Sequence, residues 1–296
     1  MLNMSAVFEL FANSRAVLGE GAVWCEWDSS LYWLDVINGI VFRKKGNSAD
    51  PESFERFELK IGKIGGISFT QEKTILLFAE AGKVWEWVPG NQPVLYTNLR
   101  IASETRFNEV ITAPDGTVFC TVAPLLQGGI GSLWRMDLLG KFSCIEVATT
   151  GMPNGLGFSP DRKKLYFTVT TERRIYSYDF EQDRGGHVSN KDVFVQIPPE
   201  EGRPDGLTVD SEGCVWSALW EGGKLVRFSP DGEKVAEYAF PIRQVTGVAF
   251  GGEGLRDLFV STANYPWNDG EFESNHAGAV FRMKESPYTG KLEFLR

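Results

Sequence analysis

The chain has 296 residues, enough to bury a core without disulfides or a structural metal, and 43% hydrophobic with 23% charged residues is a globular composition. A formal charge of −9 argues against a basic nucleic-acid-binding surface, and no apolar run approaches the roughly 20 residues of a membrane span. Strand formers (21 Phe, 9 Trp, 8 Tyr) combined with 32 Gly point to an all-β protein.

The N-terminal MLNMSAVFELFANSRAV lacks a basic stretch followed by a long apolar core, so no signal peptide and a cytoplasmic location are expected. Cys25, Cys120, Cys144 and Cys214 are widely spaced without CxxC and are expected to be buried free thiols.

Six segments then repeat one pattern: a turn-like pair, an apolar strand, a polar turn and a second apolar strand. They begin EGAVW at Glu20, GGISF at Gly65, NEVIT at Asn108, NGLGF at Asn154, DGLTV at Asp205 and TGVAF at Thr246. A third strand follows in several, as in GIVFRK, GKVWEWV, GSLWRMD, RIYSYDF, GKLVRFS and GAVFRM, and APDG, SPDR, DSEG and SPDG mark turns between strands. No segment sustains a 3.6-residue apolar period. Six units of 41–51 residues with about four short strands each predict a six-bladed β-propeller spanning 1–296 as a single domain. Either Ala6–Phe11 or Lys291–Leu295 supplies the strand that closes the ring.

Propeller symmetry brings equivalent positions onto one ring, and the opening residue of each first strand points at the channel mouth. That ring reads Glu20, Gly65, Asn108, Asn154, Asp205 and Thr246. Four of the six carry carboxylate or carboxamide oxygens, a donor set suited to a hard divalent cation such as Ca²⁺, Mg²⁺ or Mn²⁺. Two carboxylates in a narrow mouth repel unless a metal or a shared proton lies between them. Arg106 adjoins the ring; it either orients a polyol or carbonyl by paired donors or pairs on the surface with Glu104 or Glu109. The chain's two histidines, His187 and His276, are expected in exposed polar loops, which disfavours His-rich zinc sites and a Ser-His-Asp triad.

LGEGAVW at 18–24, RFN at 106–108, PNGLGFSPD at 153–161 and PDGLTVD at 204–210 resemble the gluconolactonase/regucalcin (senescence marker protein) family, in order and over nearly the whole chain. The resemblance implies a six-bladed propeller holding one divalent metal ion (Ca, Zn, Mn, Mg or Fe) through Glu20, Asn154 and Asp205. It further implies that Arg106 and Asn108 contact substrate, that the substrate is a small sugar-acid lactone, and that Asp205 doubles as the proton-transfer residue. A monomer or small homo-oligomer without nucleic-acid or membrane partners is expected. Two departures lie beside the implied pocket: Glu109-Val110 replaces the Asp-Gly that commonly follows the Asn, and Cys120-Thr121-Val122 replaces Gly-Thr-Met. Trp220, Tyr265 and Trp267 are candidates for an aromatic wall against a sugar. Two alternatives stand beside the lactonase: a calcium-responsive or scaffold propeller, and a metal-dependent esterase or phosphotriesterase.

Overall fold

The computed structural model describes residues 7–102, 104–125, 129–265 and 275–296. It forms six antiparallel four-stranded sheets, the blades of a β-propeller. Blade 1 runs Gly19–Cys25, Ser30–Asp35, Ile40–Lys45 and Glu55–Glu58 from the axis outward, and blade 2 runs Ile64–Phe69, Ile75–Ala79, Lys83–Trp87 and Val94–Asn98. Blade 3 has Thr105–Thr112, Val118–Pro124, Ile130–Met136 and Phe142–Thr150; blade 4 has Pro153–Phe158, Lys164–Val169, Arg174–Glu181 and His187–Gln196. Blade 5 consists of Arg203–Val209, Val215–Trp220, Lys224–Phe228 and Lys234–Ala239. Blade 6 takes Val245–Gly251, Asp257–Thr262 and Val280–Met283 from the end of the chain and its outer strand, Glu9–Ala12, from the beginning.

The expected gradient of burial is present. Second strands such as Ser30–Asp35 and Ile75–Ala79 are buried throughout, whereas the outer Val94–Asn98 is largely exposed. Six hydrophobic clusters fill the six gaps between neighbouring blades. The aromatic content of the sequence is spent there: Phe78 meets Phe107 edge-on at 5.2 Å between blades 2 and 3, and Trp24 stacks on Phe259 at 5.9 Å between blades 1 and 6.

The N-terminus closes the ring. Leu10 pairs with Phe281 and Ala12 with Val280, while the Phe11 ring lies between the Lys44 ammonium at 4.9 Å and the Arg282 guanidinium at 5.0 Å. Lys291–Leu295, the other candidate, is no strand. The C-terminal tail instead crosses the turns between first and second strands, on the face opposite the first-strand starts. Gly290 bonds Leu255 of blade 6, Thr289 accepts from Ser211 of blade 5, and Arg296 exchanges two backbone bonds with Phe69 and Gln71 of blade 2. Phe294 packs against Phe158, and with Glu293 it lines a cavity of about 70 Å³ in the lower channel.

Two sequence expectations are corrected. Cys25, Cys120 and Cys214 are buried, but Cys144, on the outer strand of blade 3, is exposed. Outer strands bury only their blade-facing side, so an apolar run there does not ensure burial. His187 is exposed as expected, yet it opens the outer strand of blade 4 rather than sitting in a loop.

Candidate functional site

In every blade the register between first and second strands slips once. The slips fall at Glu20/Val23, Ile64/Gly66, Phe107/Val110, Pro153/Leu156, Pro204/Leu207 and Val245/Gly247. Each contains or adjoins the residue expected on the ring. A bulge breaks the alternation of side chains and re-aims one of them, here away from the interblade packing and into the channel. The dipeptides Asn154-Gly155 and Asp205-Gly206 therefore belong to bulges rather than turns. A Cβ on Gly155 would sit 2.5 Å from the backbone nitrogen of Leu207, and one on Gly206 2.7 Å from the carbonyl oxygen of Thr246, because the neighbouring first strand passes that close.

Glu20, Arg106, Asn108, Asn154 and Asp205 are all buried around the upper channel, Asp205 being 3% and Glu20 7% exposed. The Arg106 guanidinium donates to Asn108 Oδ1 and to the Phe107 carbonyl. Asn108 Nδ2 donates to Asn154 Oδ1 and to the Pro153 carbonyl, both at 2.8 Å. Asn154 Nδ2 donates to Thr170 Oγ1 at 3.0 Å, and that hydroxyl donates to the Pro204 carbonyl at 2.7 Å. Arg106 is thus part of this network and not a surface partner of Glu104. The two remaining ring positions differ. Gly65 offers no side chain, and Thr246 Oγ1 donates to the Gly19 carbonyl at 2.5 Å, latching blade 6 to blade 1.

The two carboxylates are poorly satisfied for buried acids. Among the described residues, Glu20 accepts from the Gly21 backbone and Asp205 from the Asn154 carboxamide. Burial pushes Glu20 well above the usual carboxylate range, Asp205 and Glu109 push it further, and Arg106 opposes them. Asp205 is raised by burial and by Glu109, against Arg106 and its bond from Asn154. Two buried acids therefore face one guanidinium, with Glu109 adding a further negative charge nearby. Arg106 is pulled down by its burial, with Glu20, Asp205 and the Tyr265 phenol acting to keep it charged. Glu109 points down the channel into the lower cavity. Burial raises it to about 7, the Val110 backbone N–H lowers it, and Glu293 from the tail raises it.

Oxygen-only donors fit a hard cation: the carboxylates of Glu20 and Asp205, each with lone pairs to spare beyond its single donor, and the amide oxygen of Asn154. A second acidic group, Asp210, Glu212 and Cys214, gathers its ligand atoms within 4.8 Å. There, however, Asp210 is already committed to Arg227 and to the Trp216 indole.

Around the upper rim, Tyr265 follows the second strand of blade 6 and is 41% exposed. The Gln244 carboxamide holds it by a pair of 2.9 Å bonds to its backbone N–H and carbonyl. Trp220 ends the second strand of blade 5 and bridges to Gln244 through the backbone. Trp267 lies outside the described residues; His276 is exposed. Nothing in TVTTER or IRQVTG marks Thr170 or Gln244, because their roles depend on partners 16 to 34 residues away. In the sequence Glu109 is a departure and a candidate surface partner for Arg106; in the structure it faces the lower cavity and Arg106 bonds Asn108 and the Phe107 carbonyl instead.

Known proteins resemble this chain in sequence and in fold. It is 38% identical over 284 residues to the pentonolactonase XacC of Haloferax volcanii, covering 94% of each chain. It is 31% identical to the 6-deoxy-6-sulfogluconolactonase of Pseudomonas putida, covering 88% of each. The crystal structure of a calcium-binding protein, regucalcin, from Agrobacterium tumefaciens superposes with a TM-score of 0.88 at 22% identity, over 97% of this chain and 96% of that one. Residues 18–264, from two residues before Glu20 to the rim beside Tyr265, match the SMP-30/Gluconolactonase/LRE-like region, and the chain belongs to that family.

Proposed function

We propose that this protein is a divalent-cation-dependent hydrolase that opens sugar-acid lactones. The observation that carries the reading is the pair of buried, under-satisfied carboxylates, Glu20 and Asp205, beside the amide oxygen of Asn154 and a partly uncommitted guanidinium. The lactonase names of its relatives give the reaction class.

In this reading Glu20, Asn154 and Asp205 hold the cation. When bound, it supplies Lewis-acid polarisation of the lactone carbonyl and charge stabilisation for the developing oxyanion. The rest is the work of the chain's own residues. One carboxylate oxygen of Asp205 accepts the proton of the attacking water and returns it to the leaving ring oxygen. Arg106 uses Nη1 internally and, among the described residues, keeps Nε and Nη2 free to donate to substrate oxygens. Asn108 has committed both amide hydrogens, so it receives a substrate hydroxyl through the remaining lone pair of Oδ1. Tyr265 and Trp220 flank the approach. The oxygen-only donor set favours Ca²⁺, Mg²⁺ or Mn²⁺. A soluble cytoplasmic enzyme, monomeric or a small homo-oligomer, completes the proposal.

The test is a pH-indicator assay across aldonolactones, aryl esters and organophosphates, with each cation in turn and with EDTA. Cation-dependent proton release from hydroxylated lactones, above that from the other two classes, is the expected result. Release from aryl esters or organophosphates alone assigns the site to another ester. No hydrolysis alongside tight Ca²⁺ binding leaves a binding protein.

A further inference from the structure

Thr170 follows the second strand of blade 4 and is buried. Its hydroxyl has one proton, and the Pro204 carbonyl, 2.7 Å away, can only accept it. Asn154 must therefore turn its NH₂ edge toward Thr170, as the 3.0 Å bond from Nδ2 records. The other end of the network has the same polarity. A guanidinium can only donate, so Arg106 takes Asn108 Oδ1 and turns Asn108 Nδ2 toward Asn154 Oδ1. The run is directed, with a pure donor at one end and a pure acceptor at the other. Reversing the Asn154 carboxamide would set acceptor against acceptor at Thr170 and donor against donor at Asn108.

We propose that Thr170 is a positioning residue for the cation site: its hydroxyl fixes which edge of Asn154 is offered as the ligand and pins the backbone that leads into Asp205. The inference rests on the reading of Glu20, Asn154 and Asp205 as that site. It extends the site to a residue that touches neither cation nor substrate. Supports of this kind typically tune metal affinity by about 10–100-fold.

The test is calorimetric titration of the EDTA-stripped protein with Mn²⁺ and, separately, Ca²⁺, for wild type, Thr170→Ser, Thr170→Ala and Thr170→Val. Serine and alanine differ only by the hydroxyl, so that pair decides even if the valine variant folds poorly. Thr170→Ser should bind close to wild type, and Thr170→Ala about 10–100-fold more weakly, while the two metal-free proteins melt at similar temperatures. Equal affinities for the serine and alanine variants would overturn the role of Thr170 while leaving the cation site intact. A wild type that binds neither ion would instead overturn the cation reading, and this inference with it.

Discussion

The side-chain nitrogen of Asn108 lies 2.8 Å from Asn154 Oδ1 and equally close to the Pro153 carbonyl, so blade 3 braces blade 4 at the position proposed to bind the cation. Removing that amide leaves two buried acceptors without donors, each costing about 1–3 kcal/mol. Asn108→Ala should therefore lower the denaturant midpoint of the metal-free protein as well as lactone turnover. Turnover loss with unchanged stability would mean that Asn108 serves substrate alone.

Glu20 and Asp205 should behave in the opposite way. Their carboxyls are raised by burial and by neighbouring carboxylates, so the metal-free protein gains little from them. Glu20→Ala or Asp205→Ala should eliminate activity yet melt no lower than metal-free wild type. Wild type should rise in melting temperature with Mn²⁺ or Ca²⁺, since a ligand specific to the folded state contributes about 2.7 kcal/mol at 100 times Kd, and neither variant should respond. Because the raised carboxyls surrender protons to the cation, affinity should weaken as pH falls through the range above ordinary carboxylate values. Variants that unfold many degrees early without metal would show that these residues are structural.

Glu109 gives a pH dependence of its own. Its value rises from 4.5 to about 7 in the folded protein, so its contribution is full below pH 4.5 and is lost as pH rises toward 7. For metal-free protein this is roughly 2–3 kcal/mol of stability between those limits. Glu109→Gln keeps the shape and removes the titration. Urea unfolding at pH 4.5, 6 and 7 should show a decline in wild type that is flattened in the variant; parallel slopes would mean Glu109 titrates normally.

The blades and the ring were legible because each repeat carries its own strand and turn chemistry, as in GLGFSPDRKKLYF. Symmetry then converts spacing along the chain into proximity. Ring membership was less legible than ring position: Thr246 occupies the same place as Asp205, yet its short hydroxyl satisfies the Gly19 carbonyl. The closing strand was ambiguous because FELFA and KLEFL are equally β-like in isolation. What separates them is the pairing of Leu10 with Phe281, against a tail bound to turns of several blades. Thr170 and Gln244 were invisible for the same reason, since a hydroxyl or carboxamide acquires its role from the partner it meets.

The rim supplies the last prediction. Gln244 clamps the Tyr265 backbone with two 2.9 Å bonds, and the Tyr265 phenol lies within electrostatic reach of Arg106. If Arg106 grips substrate hydroxyls with the rim aromatic opposite, losing either should penalise hydroxyl-rich lactones more than plain aliphatic ones. Arg106→Ala should cost about 10-fold or more in kcat/KM on a sugar lactone, the scale of lost positioning contacts. Gln244→Ala, which frees Tyr265 without touching the channel, should raise KM for the same substrate and leave kcat and cation affinity near wild type. A Gln244→Ala effect confined to kcat would place the clamp's influence on the reacting atoms. Equal losses on both lactone types would take Arg106 and Tyr265 out of substrate selection.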